Sequence, residues 1–289
     1  MNRLTGFLFE NKVAHGAFVE ISEGVAEMLG HRAYGADVRK LIGEAMAAMP
    51  LLATHLGFEG RINLQFQGED AMKLLVAQVD HHLEVRAMAK APAELQGTFT
   101  GLLHGGVLAL LLEPHGESRE ASQALVPIEG ASLAHALEAY FEQSEQLPTL
   151  IRLAADGDRL RGFMLQRLPL EDARGTAEDW EHVSILAATL KPEELLQADP
   201  ATLLGRLFAE EEVRLFEPRP VTVACRCSRA GISRLLLSLG REECDSILAE
   251  QSRIAVTCEF CGKEYVFNGV EAAELFAAAG SLPSNTTRH

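Results

Sequence analysis

Four of the five cysteines fall in two local pairs, Cys225-Arg226-Cys227 and, after thirty intervening residues, Cys258-Glu259-Phe260-Cys261-Gly262. Zn²⁺ takes four soft ligands in a tetrahedron, and two close pairs joined by a loop bring four thiolates together at low closure cost. Each pair is also near enough in sequence to bring its α-carbons within the ~4.4–6.8 Å window of a disulfide. The competing reading is four small buried hydrophobes, but scattered core cysteines seldom form a Cys-x-Cys together with a Cys-x-x-Cys-Gly. Most four-cysteine sites are structural, and spacing alone does not say whether this one does more.

The rest of the composition narrows the use of such a site. A chain of 289 residues, 47% hydrophobic, buries a sizeable core and is long enough for about two domains. No stretch approaches the ~20 apolar residues of a membrane span. The start, Met1-Asn2-Arg3-Leu4-Thr5-Gly6, lacks the basic-then-apolar layout of a signal peptide, so a cytoplasmic location with reduced thiols is expected. Net charge is −15, yet from Pro218 onward eight Lys/Arg meet eight Asp/Glu. Four thiolates on one Zn²⁺ would add −2. A nucleic-acid-binding zinc module needs a basic face to displace counterions from phosphates, and none is legible.

Along the first ~170 residues the pattern is mixed α and β. Arg61 to Gly68 alternates Ile62, Leu64 and Phe66 with Asn63, Gln65 and Gln67, the period of a half-buried strand. Further strands are expected at 17–21, 74–79, 83–89, 107–113, 123–128, 150–154 and 162–168, several joined by Gly- or Asp-containing turns that suggest antiparallel neighbours. Ser22 is expected to cap a short helix, Asp37 to open an Ala-rich one running to about Leu56, and Ser132 to start a third through Phe141. The expected class is α+β: an N-terminal domain of packed helices on a largely antiparallel sheet, a helical linker, and a small C-terminal zinc-binding domain.

From Glu171 to Glu217 twelve acidic residues meet four basic ones, so this short piece carries −8. Trp180, Val183, Leu186 and Leu190 recur at helical spacing, and Leu203, Leu204, Leu207 and Phe208 form a second short apolar stripe. Helices of ~10 residues are marginal in water unless they dock. A plain interdomain helix pair is the other reading. Pro218 and Pro220 punctuate the boundary to the cysteine segment, where helices are expected at 233–239, 242–250 and 270–278 and strands at 254–256 and 264–267, with a frayed tail from Ser281. The expected divisions are thus 1–170, 171–217 and 218–289.

No phosphate loop, nucleophile elbow or His-Glu-x-x-His is present. Gly101 to Gly106 reads as a turn before a strand, and His81-His82 as a hairpin turn. Cys244 sits among Glu242, Glu243 and Asp245, charges that raise a thiol's pKa, so it reads as unreactive. Glu211 and Glu212 read as a solvated face.

Cys225 to Ser228, Asp-Ser-Ile-Leu at 245–248 and Cys258 to Gly262, taken together, resemble the Hsp33 family of redox-regulated chaperones. The likeness extends to Phe58-x-Gly60-x-Ile62-x-Leu64 ending at Gly68, to Tyr140-Phe141 followed by Ser144-Glu145-Gln146-Leu147-Pro148-Thr149, and to the acidic Glu210-Glu211-Glu212-Val213. The resemblance implies an ATP-independent holdase, not an enzyme. It implies one Zn²⁺ per chain held by Cys225, Cys227, Cys258 and Cys261 in the reduced, inactive state. It further implies oxidation to disulfides joining Cys225 with Cys227 and Cys258 with Cys261, zinc release, and loss of structure in the zinc domain and linker. Unfolded or partly folded clients then bind, and the oxidised protein forms a homodimer. No nucleic acid or membrane partner and no catalytic residue are expected. The rival readings are a zinc-ribbon protein binding nucleic acid or a translation partner, which a basic patch would favour, and an enzyme with a structural zinc module.

Overall fold

The computed structural model describes residues 1–54, 59–114, 121–169 and 175–280. Leu56, Phe58, Glu171 and the tail from Ser281, all named above, lie outside them. The chain forms two compact units, Met1–Ala224 and Cys225 onward. Among the described residues no helix is long and apolar enough to cross a membrane.

The first unit runs β1 (Arg3–Phe9), β2 (Ala14–Ile21), α1 (Val25–Leu29), α2 (Ala36–Ala53), β3 (Gly60–Gly68), β4 (Leu74–Asp80), β5 (Glu84–Lys90), α3 (Phe99–Leu102), β6 (Gly106–Pro114), β7 (Ser122–Val126), α4 (Leu133–Tyr140), β8 (Thr149–Asp156) and β9 (Arg159–Arg167). The acidic stretch then supplies α5 (Ala177–Ala188), α6 (Pro192–Gln197) and α7 (Pro200–Leu207), followed by the short strands β10 (Val213–Leu215), β11 (Arg219–Pro220) and β12 (Thr222–Val223). Two sheets result. One has the order β10-β1-β2-β9-β8, with β11 also on β1; the other has the order β12-β5-β4-β3-β6-β7. Every pairing is antiparallel except that of β12 with β5.

Helix α2 packs against strands of both sheets, β8 and β9 of one and β4 and β5 of the other. That placement explains a helix apolar on nearly every side, with Val38, Ile42, Met46 and Met49 all fully buried. Glu44 interrupts the otherwise buried stretch from Leu41 to Leu52. Burial pushes its carboxyl up to about 7, and Lys40, 3.8 Å away, offsets only part of the effect.

Two local expectations change. Ser22 does not cap a helix: Gly24 holds the cap position of α1, and the Ser22 and Glu23 amides donate instead to Asn2 Oδ1 at 2.9 Å. The polar face of β3 is not wholly solvated either, because Asn63 is buried. Ser132 does cap α4, its hydroxyl accepting from the His135 amide.

The three acidic helices dock within the first unit. Thr176 and Asp179 form a reciprocal capping box at the start of α5, and Asp199 accepts from the Thr202 amide to cap α7. Val183, Ala187, Leu190, Leu195, Leu203, Leu207 and Phe208 then share one core cluster with Phe7, Phe9, Phe18 and Phe163 of the first sheet, and Trp180 and Leu186 pack against it. The Phe208 ring meets Phe9 edge-on at 4.9 Å and 77°. Full burial of such a side chain stabilises by roughly 1.5–3 kcal/mol, so short helices with little intrinsic stability hold because of this face.

The second unit contains α8 (Arg229–Leu239), α9 (Arg241–Gln251), the hairpin β13 (Arg253–Thr257) and β14 (Glu264–Asn268), and α10 (Gly269–Gly280). Its core is small: Leu236, Cys244, Ile254, Tyr265, Phe267 and Ala272 are the buried members. Arg229 ties the unit together, donating to Val266 O at 3.0 Å and to Glu271 Oε1 at 2.6 Å, with its guanidinium 4.1 Å from the Phe267 ring centre.

Candidate metal centre

Each cysteine pair is positioned by backbone geometry beside it. Cys225 and Cys227 precede α8, whose N-cap Ser228 accepts from the Gly231 amide at 3.1 Å. Cys258 and Cys261 occupy the turn between β13 and β14. There the Gly262 amide donates to Cys258 O at 2.8 Å and the Cys258 amide to Lys263 O at 2.9 Å. Gly262 has φ 71°, a left-handed conformation that costs a side chain-bearing residue energy. The glycine of Cys-x-x-Cys-Gly is therefore what lets the chain reverse tightly under both sulfurs.

The four Sγ atoms lie within 4.8 Å of one another, and among the described residues they are the one group of three or more His, Cys, Asp or Glu side chains so placed. Cys225 and Cys258 are 3.6 Å apart, and Cys227 and Cys261 are 3.5 Å apart. A tetrahedron of thiolates 2.3 Å from Zn²⁺ has S–S edges of about 3.8 Å, so the donor set and its spacing fit a tetrahedral thiophilic ion. All four thiols are free and partly buried.

Electrostatics around the four sulfurs are uneven. Burial pushes the Cys225 thiol up to about 12 and also raises Cys261. Burial opposes ionisation of Cys227 as well, but hydrogen bonds from Tyr265 and the neighbouring thiols outweigh it and hold this thiol below its ordinary range. Tyr265 Oη donates to Cys227 Sγ at 3.1 Å, and that bond raises the phenol to about 12. Tyr265 is a supporting residue that the sequence reading missed. Its signal was faint: an aromatic four residues past Cys261, at an inward position of an alternating strand.

Cys244 takes no part in the cluster. It is fully buried in the second unit's core and donates weakly to Leu236 O at 3.7 Å. Burial first, then Asp245 and Glu243, raise its pKa. Packing therefore contributes more to this rise than the neighbouring charges named from the sequence.

The Hsp33 protein family model matches residues 2–268. The chain belongs to the Hsp33 family of chaperones. It is 40% identical over 290 residues to the 33 kDa chaperonin of Pseudomonas paraeruginosa, covering 98% of this chain and 97% of that protein. It is 38% identical to the 33 kDa chaperonin of Methylobacillus flagellatus, covering 100% and 99%. The fold resembles the crystal structure of the Thermotoga maritima 33 kDa chaperonin, with a TM-score of 0.81 at 22% identity over 97% of this chain and 99% of that one. In this Hsp33 chain the α+β architecture and the cysteine cluster occur together, as the sequence pattern predicts.

Proposed function

We propose that this Hsp33 chain is an ATP-independent holdase with no catalytic site, inactive while Cys225, Cys227, Cys258 and Cys261 hold one Zn²⁺ and active after their oxidation. The observation that carries the reading is the convergence of the two cysteine pairs on one small unit with little core of its own. Bound zinc would supply the second unit with folding free energy, on the order of 10–16 kcal/mol in apparent terms for modules of this kind. Tyr265 would orient Cys227 and relieve its negative charge.

Oxidation proceeds pair by pair. Cys225 and Cys227 close one disulfide and Cys258 and Cys261 the other. Each closure gives two electrons to the oxidant, and hydrogen peroxide, taking up these and two protons from solvent, leaves as two waters. Sulfurs held in disulfides no longer serve as thiolate ligands, and zinc departs. The contacts at 3.5 and 3.6 Å run between pairs, but they depend on the folded unit. Only the local pairs stay tethered by one or two residues once the metal has gone.

In functional terms the chain divides at about 1–170, 171–217 and 218–289. Residues 171–217 are the gate, because the docked helices α5 to α7 cover apolar surface of the first sheet that clients would use. Loss of the zinc unit's structure releases them, and unfolded or partly folded proteins bind the exposed surfaces. The oxidised protein pairs as a homodimer, acts in the cytoplasm, and uses neither nucleic acid nor membrane. The balanced charge beyond Pro218 supports the last point.

Suppression of aggregation of a chemically unfolded enzyme tests the reading, run with reduced zinc-loaded protein and again after peroxide treatment at mildly elevated temperature. Activity in the oxidised sample alone is expected. Equal activity in both samples removes the redox switch.

A further inference from the structure

The long strands of the first sheet end at β1, and the outer edge of β1 is covered by residues 212–221, the chain immediately after the acidic helices, which includes β10 and β11. Phe7, Leu8 and Phe9 pair with Leu215, Arg214 and Val213, and Arg3 and Leu4 pair with Pro220 and Arg219. Between these short strands the Phe216 amide donates to Gly6 O at 2.9 Å, and beyond them the Glu10 amide donates to Glu212 O at 2.9 Å. Only five residues of the covering segment form strand pairs with β1, and two of those come from a two-residue strand containing proline.

The segment's side chains alternate between two surfaces. Val213 packs on the core cluster that holds Phe9 and Phe208. Phe216 lies on the opposite surface, over Gly6, where a Cβ built on Gly6 would stand 3.3 Å from the ring. A glycine at this point thus leaves a seat for an aromatic ring. Beside it is a groove of about 430 Å³ lined by Leu4, Leu8, Ala17, Thr54 and Leu168 together with Phe216. Phe216 fills the seat incompletely, remaining 47% exposed, and Leu215 is 38% exposed.

We propose that the outer edge of β1 is a client-binding site that accepts an extended, apolar segment of an unfolded protein as an added antiparallel strand, with a large aromatic or aliphatic side chain seated over Gly6. Residues 212–221 are its resting occupant. The inference rests on the gate described under Proposed function, since this segment continues directly from α7 and leaves the edge when the helices leave. An uncovered edge strand presents unpaired amides and carbonyls to any chain able to pair with them. Unfolded clients offer those groups along with apolar side chains, which folded proteins do not. Backbone pairing reads no particular sequence and suits a holdase, and the groove adds a preference for bulky apolar residues at alternate positions.

The test uses the full chain, reduced and oxidised, with a fluorescent peptide of residues 212–220 as probe. The peptide is expected to bind the oxidised protein about tenfold or more tightly than the reduced protein, and to be displaced by a chemically unfolded enzyme. N-methylation at the peptide positions of Arg214 and Phe216 removes edge-facing donors, and replacing the phenylalanine by alanine empties the seat. Each change is expected to weaken binding about tenfold. These changes lie in the probe, so the folding of the protein is not at issue. Gly6→Val in the full chain is expected to weaken peptide and client together. If the oxidised protein suppresses aggregation but binds methylated and unmethylated peptides equally, this inference fails while the holdase reading stands. If the oxidised protein suppresses no aggregation, both fail. Sedimentation separates the remaining occupant: a peptide that is displaced only by dimerisation, and not by client, shows that a second copy's segment fills the edge, which also overturns the proposal.

Discussion

The two compact units are held together by different physics. In the first, a helix buried on nearly all sides joins two sheets, and large side chains such as Phe7, Phe18, Phe66 and Phe163 are fully buried. In the second, six buried residues form the core among the described residues, and one of them is a cysteine. The first unit, with this apolar burial, is expected to fold by itself. The second is expected to depend on four thiolates and the ion they hold. The proposed switch would benefit from this division, because oxidation would remove the stability of one unit while leaving the other intact as a platform.

The largest effect should come from breaking the cluster. Cys261→Ser removes one of four ligands and is expected to lower zinc content well below one per chain and to unfold the second unit. The protection of β2, β3, β4 and β9 against hydrogen exchange should remain unchanged. Cys244→Ser, in the same core but outside the cluster, should leave zinc content at one per chain. If the Cys261 variant unfolds both units cooperatively, or if the Cys244 variant loses zinc, the contrast between the units is wrong.

A smaller effect is expected where the first unit holds the acidic helices. Phe208 is 2% exposed and packed on Phe9. Phe208→Asp should forfeit about 3–5 kcal/mol of docking, enough to release the helices in reduced, zinc-loaded protein. Such a variant should suppress aggregation without oxidant and be cut rapidly by protease between 175 and 212. A variant that is cut rapidly, keeps its zinc and stays inactive until oxidised would place the gate in the second unit.

Within the first unit's core the account can be sharpened by pH. Burial raises Glu44 to about 7 from an ordinary 4.5. The folded state therefore binds more protons than the unfolded state between those values, and stability falls as pH rises from 4.5 to about 7. Glu44→Gln should abolish that slope and raise the first unit's melting temperature at pH 8 more than at pH 5. The gain should correspond to on the order of 1–3 kcal/mol. Equal shifts at both pH values would show that the carboxyl is solvated.

The cysteine pairs, the alternation of β3 and the apolar stripes of α5 and α7 were legible because each is a local pattern. β1 was not, since burial alternates over Thr5, Phe7 and Phe9 but the residue types do not: Leu4 and Leu8 on the other face are apolar too, and Thr5 on the buried face is polar. β10, β11 and β12 are two or three residues long and exist only because distant strands offer free edges. The cap of α1 was misread because Asn2, twenty residues away, fixes the Ser22 and Glu23 amides outside the helix, which starts only at Val25 behind Gly24. Tyr265 went unseen for a related reason. A donor to a sulfur is defined by where a strand points, and spacing to the cysteines does not encode that.

The central claim is that oxidation of the second unit frees helices held by the first. Hydrogen exchange read by mass spectrometry, on reduced zinc-loaded and peroxide-oxidised protein, tests it most directly. The account predicts that amides of 177–207 lose protection on oxidation along with those of the zinc unit, while β2, β3, β4 and β9 keep theirs. An oxidised protein that holds clients with 177–207 still protected would contradict it.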